Sequence, residues 1–360
     1  MRKLIPAACA LGFGIALSVP FAAAASVHKT IVVGPGQSIQ AAVNHANPGD
    51  TVLVKPGVYH QAVQIRRDGV TLRGSGDFLG GTVIEPPAGG VHNLCRTAFG
   101  PTGICVLAKK VDVTTGRVIT PVYNDKITGL YVAGFPANGV FGYGTYGLTV
   151  QRVKAVNNGA YGISRFVSTK TLFANDIAIG SNEAGFYVGD SPNAATIVRD
   201  NVARGNALGI FVRHARGVTI VHNRASGNCQ GVLVLDDGQP GGAGNTLVLA
   251  NSVFRNNMSC PAVPNEHPPL QGGGILLFGA TQSKVIGNSV KGNRGQQFNS
   301  GGIVVLSAAV FHGSNPKFDT IARNTAYNDR PADLRWDGTG KSVRFFGNHC
   351  GTSIPSGLCH

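Results

Sequence analysis

The feature that most constrains the fold of this chain is a repeat that runs through most of the sequence after its first quarter. Each repeat contains a glycine and an apolar residue that open a short run rich in β-branched side chains. These pairs are Gly162-Ile163, Gly185-Phe186, Gly209-Ile210, Gly231-Val232, Gly274-Ile275 and Gly302-Ile303. Self-similarity at this spacing predicts a solenoid, in which each repeat forms one coil and buries its apolar face against its neighbours.

Asparagines mark the turns of the same repeat in two series. The first series is Asn158, Asn182, Asn206, Asn228, Asn256 and Asn293. The second series is Asn175, Asn201, Asn223, Asn251, Asn288, Asn324 and Asn348. Asparagine tolerates the left-handed backbone of sharp turns, and stacked asparagines can bridge side chain to backbone along a solenoid. Both series therefore favour a stack of parallel coils.

The N-terminal part of the chain predicts a capped first coil. Ser38 can cap a short helix that carries Ile39, Ala42 and Val43 on one face. Three short runs with tight turns between them follow the helix and are predicted to be strands. They are Thr51–Val54, Ala62–Ile65 and Gly69–Gly74.

Two turns in this first coil resemble those of a known group of proteins. The Gly-Asp-Thr-Val segment at 49–52 and the Pro-Gly-Val-Tyr segment at 56–59 resemble the start of right-handed parallel β-helix proteins of the pectin-lyase-like superfamily. The resemblance implies an all-β fold, a single-stranded right-handed parallel β-helix with a short N-terminal capping helix. We expect one such domain over residues 26–360, with loop insertions at about 86–126, 257–273, 294–301 and 309–317.

The first residues predict export. Arg2 and Lys3 precede an apolar run and a row of alanines at 22–25, which is the pattern of a secretory signal peptide over residues 1–25. A lipoprotein signal at Cys9 fits less well, because Cys9 lies early in the apolar run. No later run is long and apolar enough to span a bilayer. We therefore expect a secreted, periplasmic or cell-envelope protein.

The cysteines agree with export, because six remain after the signal is removed. An even number in an exported chain predicts disulfides. Pairing of sequence neighbours would tie separate loops to the body, although sequence alone leaves the connectivity open. These pairs would be Cys95 with Cys105, Cys229 with Cys260, and Cys350 with Cys359.

The charge of the chain indicates the kind of partner it meets. The formal net charge is +14 at pH 7 and falls by two when Arg2 and Lys3 are removed. A basic surface attracts polyanions. Because the chain is predicted to be exported and its basic residues are scattered, we expect an acidic polysaccharide or a cell-envelope glycan rather than nucleic acid.

The loop insertions predict a groove. The segments 258–271 and 294–300 precede glycine-led strands, whereas 238–244 and 309–317 follow them. Loops at both ends of the strands of one sheet would wall a groove across it, which is where carbohydrate-active β-helix proteins work, as the resemblance implies. These loops carry Glu266, His267 and His312.

Chemistry-bearing side chains follow the strands at one matching position. The fifth residue after the strand glycine is Asp190, His214 and Asp236 in successive repeats. Because adjacent parallel strands lie about 4.8 Å apart, these three side chains are predicted to form a short ladder. Tyr187 and Arg213 lie on the same strands, and Asp237 follows directly. Turn preference alone also places Asp and Asn at such positions.

The ladder predicts chemistry on a uronic-acid polymer. Removal of the C5 proton requires a base and a group that stabilises the developing anion. We predict that Arg213 neutralises the carboxylate, that His214 or Tyr187 is the base, and that Asp190 and Asp236 orient these groups while Asp237 contacts substrate. The aspartates could instead hold calcium through their oxygen atoms.

The specific enzyme families of this fold are not matched by motif. The Asn-Thr-Asp, Gly-His-Gly and Arg-Ile-Lys motifs of polygalacturonase-like hydrolases, the Asp-Pro-His-Asp of mannuronan epimerases and the Trp-Ile-Asp-His of pectate lyases are absent from the sequence. Two hypotheses remain. The first is a polyuronate lyase or epimerase, and the second is a non-catalytic exported module that binds envelope glycan or a protein partner.

Overall fold

The computed structural model describes residues 28–98, 100–263 and 267–359 of the chain. The predicted signal peptide and Glu266 lie outside these residues. The predicted single-stranded parallel β-helix is confirmed, because nearly every strand pairs in parallel with the equivalent strand of the next coil. Within the described residues no helix is long and apolar enough to cross a membrane.

Two long parallel sheets form the walls of the solenoid. The front sheet has 11 strands, one for each coil. They are Val63–Ile65, Ile104–Leu107, Val140–Tyr143, Tyr161–Phe166, Ala184–Ser191, Leu208–Ala215, Gln230–Leu235, Gly273–Phe278, Gly301–Leu306, Leu334–Trp336 and Ser353–Ile354.

The back sheet has 21 strands and bends at the asparagine turns, so that most coils contribute two short strands to it. They are Thr30–Val33, Thr51–Val54, Gly57–His60, Thr71–Arg73, Thr82–Glu85, Lys126–Ala133, Thr149–Val156, Leu172–Ala174, Ile177–Ile179, Thr196–Arg199, Val202–Arg204, Val218–Val221, Arg224–Ser226, Leu247–Leu249, Ser252–Phe254, Lys284–Ile286, Ser289–Lys291, Thr320–Ala322, Thr325–Tyr327, Arg344–Phe346 and His349–Cys350.

Short elements complete the description. The helix Ile39–His45 is capped by Ser38, whose hydroxyl accepts a hydrogen bond from the backbone of Ala41 at 3.0 Å, as predicted. A single 3₁₀ turn spans Ala309–Phe311. Three two-stranded pairs lie outside the sheets. They are Arg96–Thr97 with Gly100–Pro101, Lys110–Val111 with Val118–Thr120, and Val122–Tyr123 with Thr145–Tyr146.

The core is built from columns of inward-facing side chains that stay in register from coil to coil. In the front sheet one such column is entirely apolar over five coils and fully buried. It comprises Val188, Val212, Val234, Leu277 and Val305. One coil earlier the same column contains Arg165, which pairs with Val188 and with Gly142 and is also fully buried. A parallel stack of this kind forces each side chain to contact its equivalent, because the coils lie about 4.8 Å apart.

Asparagine ladders hold the turns, as the sequence predicts. In one ladder the amide of each asparagine donates to the oxygen of the next at 3.0 Å. Its members are Asn201, Asn223, Asn251, Asn288, Asn324 and Asn348. A second ladder runs through Asn206, Asn228, Asn256 and Asn293 and ends at Asp329.

Two predicted ladder members are shifted by one residue. Asp176 and Ser181 donate their backbone N–H to the ladders at Asn201 and Asn206, respectively. Asn175 instead takes the left-handed corner conformation, with φ of 57°. Asn182 is exposed beside its ladder.

The cysteines pair as sequence neighbours, with Cα–Cα distances of 5.4 Å, 6.0 Å and 5.3 Å. The pairs are Cys95–Cys105, Cys229–Cys260 and Cys350–Cys359.

The predicted insertion at 86–126 is only partly a loop. Its segment Ile104–Leu107 completes a coil of the front sheet, because Ile104, Cys105 and Val106 are fully buried in the core.

Candidate functional site

The site begins with a corner of the front sheet where the backbone turns left-handed. Asp190 and His214 occupy this corner in successive coils, with φ of 53° and 48°. Such angles are uncommon outside glycine, and Asp and His tolerate them better than most residues. Gly279 occupies the corresponding position two coils later, with φ of 61°. The repeat therefore fixes the backbone, and the side-chain chemistry is concentrated in two coils.

His214 lies between two carboxylates. Its Nδ1 is 3.1 Å from Oδ1 of Asp190, and its Nε2 contacts Oδ1 of Asp237. The imidazole is only 4% exposed, whereas the side chain of Asp190 is 43% exposed. Both contacts are hydrogen bonds only when both ring nitrogens carry a proton, which is the imidazolium form. The His214 ring is therefore clamped between two carboxylates.

Arg213 joins the same network from the cleft side. Its Nε and Nη2 donate to Oδ2 of Asp237 at 2.9 Å and 2.6 Å. Burial lowers the pKa of the Arg213 guanidinium, but the hydrogen bond and charge of Asp237, together with the nearby Tyr187 and Tyr161, outweigh it, so the pKa lies above its usual range. Nη1 donates to no other side chain or carbonyl in the described part of the chain. Arg213 thus remains charged with one nitrogen uncommitted.

Asp236 does not form the third rung of the predicted ladder. Its carboxylate accepts hydrogen bonds from the backbone N–H of Gly238 at 3.1 Å and of Ser314 at 3.3 Å. The chain leaves the sheet at this point, and Asp236 turns inward to hold the loop 309–317 while Asp237 takes the place beside His214. The structure therefore corrects the ladder to Asp190, His214 and Asp237.

Tyr187 lies beneath the site rather than in it. It is 1% exposed, and its ring packs on Tyr161 and Phe166 with centroid distances of 4.5 Å and 4.6 Å. Burial raises the pKa of the Tyr187 hydroxyl well above its usual range. Phenolate formation is therefore disfavoured at neutral pH, which opposes the predicted role of Tyr187 as a base.

A cleft of about 790 Å³ lies over the front sheet beside this network. Arg213 and Asp237 form one end of it, which we call the charged end, and the lining also includes Glu183 and apolar side chains such as Phe211 and Leu233. His267 and His312, which the sequence places in loops, also line it. Cavities of this size accommodate a ligand of several rings, and polar groups at a few positions fix its orientation.

The loops close the cleft over the later coils. Phe278 packs edge-on against Phe298 and Phe311, with centroid distances of 5.9 Å and 6.1 Å. These rings come from the segments 294–301 and 309–317. The remaining wall includes Glu183 and Leu208 from earlier coils. The cleft is therefore blocked on one side by the protein's own loops.

Four residues at or near the site were missed by sequence reasoning: Glu183, Gln230, Asn299 and Arg165. Glu183 stands where the aligned repeats have Ala160, Ala207 and Cys229, and it accepts a hydrogen bond from the Tyr161 hydroxyl. A comparison of equivalent positions across the repeats would have identified Glu183, Gln230 and Arg165. Asn299 lies in an irregular loop and gives no such signal.

Arg165 supports the corner that carries Asp190. Its Nη1 donates to the carbonyl of Gly189 at 3.3 Å and to the hydroxyl of Ser191, and its Nη2 donates to the hydroxyl of Thr196 at 2.7 Å. Burial lowers the pKa of Arg165 to about 9. The residues that flank Asp190 are thus held by a guanidinium inside the core.

The three aspartates that the sequence offers as possible calcium ligands are engaged separately. Asp190 and Asp237 lie on opposite edges of the His214 ring, and Asp236 is engaged by backbone N–H groups. Across residues 28–98, 100–263 and 267–359, no three His, Cys, Asp or Glu side chains are grouped so that they could hold a metal ion. Calcium binding by these residues stays a prediction from the sequence.

Comparisons with known proteins agree with the fold. The family model described as "Right handed beta helix region" matches residues 138–318, just over half of the chain. The A-module of the mannuronan C-5 epimerase AlgE4 of Azotobacter vinelandii has a TM-score of 0.59 and 16% identity, covering 88% of this chain and 94% of that chain. The AlgE6 A-module of the same organism has a TM-score of 0.57 and 17% identity, covering 88% and 92%.

A phage-type structure is similar to the same degree. The Dettilon tailspike protein has a TM-score of 0.57 and 14% identity, covering 91% of this chain and 60% of that chain. No curated protein matches the chain in sequence. At these identities the structural likeness establishes the fold alone.

Proposed function

The chain belongs to the right-handed β-helix family, and on that premise we propose that it is an exported polyuronate lyase or epimerase that acts in the front-sheet cleft. The observation that carries this proposal is the pair Arg213 and His214. They are consecutive on the strand Leu208–Ala215 and are both bound to Asp237, which lines the cleft with Arg213. This places a fixed cation directly beside an acid/base pair.

The geometry supports a distinct role for each group. The uncommitted Nη1 of Arg213 neutralises the uronate carboxylate and the negative charge that develops there when the C5 proton leaves. Asp237 faces the cleft and shares its Oδ1 with Nε2 of His214, so these two side chains form the acid/base unit. Asp190 fixes the ring from the other side.

The two reaction types differ only in where the proton goes. In a lyase, the proton leaves C5, the C4–O bond breaks, a C4–C5 double bond forms, and the departing oxygen is protonated. In an epimerase, a proton returns to C5 from the opposite face and no bond to oxygen breaks. One charged network serves both, because the same carbanion-like state must be stabilised.

Export and an acidic partner fit the remaining observations. Three disulfides tie the loops to the body, and such bonds persist in oxidising compartments. The formal charge of +14 favours a polyanionic substrate. Two of the similar structures are modules of mannuronan C-5 epimerases by name, and a polymer of that kind is the first substrate to test.

The second candidate is a non-catalytic module that binds an envelope glycan. It is favoured by the burial of His214, which is 4% exposed and has a carboxylate at each ring nitrogen. In this case the Arg213–Asp237 pair would serve only as a charged contact in the cleft.

One experiment separates the two candidates. The mature protein is incubated with a panel of polyuronates, with and without calcium, and is monitored by ultraviolet absorbance for unsaturated products and by proton NMR for epimer ratio. Turnover that is abolished in Asp237→Asn supports the enzyme. Binding that salt weakens, with no turnover in either the wild type or Asp237→Asn, supports the module. No product and no epimer change across the panel overturns the enzymatic proposal.

A further inference from the structure

We infer that the cleft receives the end of a saccharide chain, and that the amides of Gln230 and Asn299 recognise its terminal sugar. That this saccharide is acidic rests on the proposed function. The recognition of its end is inferred from the wall of the cleft that lies away from Arg213.

Gln230 is a buried amide whose hydrogen-bonding groups are unused. It is the first residue of the strand Gln230–Leu235, is fully buried and lines the cleft. Neither its Oε1 nor its Nε2 has a hydrogen-bond partner within the described residues. The equivalent residues in adjacent coils are Leu208 and Gly273. An apolar residue would satisfy the repeat, so an unpaired amide at this position points to a ligand with matching groups.

Asn299 adds a second unused polar atom to the same wall. Its Nδ2 donates to the carbonyl of Pro269 at 3.2 Å, which fixes the side chain. Its Oδ1 is buried and, among the residues that the structure describes, has no partner. The wall thus offers one donor group and two acceptors. Sugar hydroxyls both donate and accept, and they match this set better than a carboxylate, which only accepts.

The described parts of the loops beside these amides are tied together. The amide of Asn299 joins one loop to the other at Pro269, and the hydroxyl of Ser300 donates to the carbonyl of Gln271 at 2.7 Å. The disulfide of Cys260 with Cys229 fixes the start of the same loop beside Gln230. Our inference is that this wall ends the cleft, so that a polymer does not run past it and a chain terminus reaches the amides.

The distance between the two ends of the cleft sets the position of the reacting sugar. Gln230 opens its strand, and Leu235, five residues later, pairs with Arg213. At about 3.3 Å for each residue, the amide end and the charged end are about 16 Å apart. This span exceeds one sugar ring. The terminal sugar therefore binds at the amides, and the uronate that reacts lies further along the same chain.

The test uses oligouronates of defined length, either uncapped or blocked at the reducing or the non-reducing end. Calorimetry of the mature protein should show tight binding of the uncapped ligand and a loss of at least tenfold when one particular end is blocked. Gln230→Leu should weaken binding by about 10- to 100-fold. Gln151→Leu, on the back sheet, is the matched control and should leave binding unchanged.

The outcomes keep this inference separate from the proposed function. Short products that appear while the viscosity of the polymer stays high support recognition of a chain end. Internal cleavage with an early fall in viscosity overturns this inference and leaves the lyase standing. Binding that depends on a free saccharide end, without turnover, supports this inference and overturns the proposed enzymatic function. Unchanged affinity in Gln230→Leu, with a rise in stability, identifies the amide as merely packed and overturns the inference.

Discussion

His214 directs its Nε2 to the carboxylate of Asp237 and not to that of Asp236, although Asp236 is the residue that the repeat places next to it. The two adjacent aspartates therefore have different roles. Asp237 belongs to the charged network in the cleft, whereas Asp236 holds the turn at Gly238 and the loop at Ser314. The division follows from the point at which the chain leaves the sheet, since consecutive side chains there face opposite sides.

Replacement of each aspartate by asparagine should therefore have a different effect. Asp237→Asn removes the charge that Arg213 and His214 share, and turnover should fall by about 100-fold or more while the fold persists. Asp236→Asn keeps an acceptor for one N–H but not for both, and should lower the melting temperature with a smaller effect on turnover. Parallel measurement of kcat/KM and thermal unfolding checks both. Equal loss of turnover in the two variants would contradict the division.

The fold could be predicted from sequence because it is repeated. Each coil contributes the same evidence, so the glycine-led strands, the asparagine ladders and the paired cysteines reinforce one another. The ladder shifts at Asp176 and Ser181 show the limit of this reasoning. A polar residue next to an asparagine can take over its ladder position, and spacing alone does not show which of the two residues joins the ladder.

The site was less predictable because it lies where the repeat breaks. Asp190, His214 and Arg213 could be placed by register, but the exit of the chain after Leu235 exchanged Asp236 for Asp237. Asn299 depends on how two irregular loops pack, which no periodicity records. Arg165 was visible as a charge in a column of valines, and a comparison of columns would have identified it.

The asparagine ladder should carry a measurable share of the stability. Asn251 accepts hydrogen bonds from the backbone and side chain of Asn223 and donates to Asn288 and to the carbonyl of Ile220. Asn251→Ala leaves several buried groups unpaired and should lower the free energy of unfolding by about 2 to 4 kcal/mol. Asn182→Ala, at an exposed site, is the control and should change it by less than about 0.5 kcal/mol. Denaturant unfolding of both variants measures the difference.

Stability should fall as the pH rises from about 4 to about 8. Burial raises the pKa of Asp319 and of Asp329 from 3.8 to about 7 in each case. Between these values the unfolded chain loses the proton that the folded chain retains, so the free energy of unfolding decreases with pH, by an order of a few kcal/mol.

Asp329→Asn tests the origin of this pH dependence. Oδ2 of Asp329 has no partner within the described residues, and an amide there can continue the ladder without carrying a charge. The variant should equal the wild type near pH 4 and exceed it in stability near pH 8. Thermal unfolding at the two pH values measures this, and parallel pH curves for the two proteins would contradict the assignment.

The disulfide Cys229–Cys260 should control the cleft rather than the solenoid. It closes a chain segment with a sequence separation of 31, and its loss should cost up to about 4 kcal/mol of loop ordering. The double variant Cys229→Ala/Cys260→Ala should keep its β-sheet signal in circular dichroism but bind ligand more weakly, because the loop that lines the cleft is released. Cys350→Ala/Cys359→Ala, near the C-terminus, is the matched control. Equal affinity in both double variants would contradict this role.

Arg165 should position Asp190 without contacting substrate. Arg165→Met removes the donors to Gly189, Ser191 and Thr196, so the corner that presents Asp190 to His214 should loosen. The change in stability should be small, because an apolar side chain replaces a buried cation that has no ion-pair partner within the described residues.

The imidazole protons of His214 report this positioning directly. In the wild type Nδ1 faces Asp190 and Nε2 faces Asp237, so a proton on either nitrogen should give a hydrogen-bonded N–H signal in proton NMR. In Arg165→Met the signal of Nδ1 should weaken or exchange with water, while that of Nε2 persists because Asp237 is unaffected. Turnover should also fall about tenfold in Arg165→Met. The control Arg204→Met, at an exposed position of the back sheet, should change neither turnover nor the N–H signals. Retention of both signals in Arg165→Met would show that the buried guanidinium supports only the core.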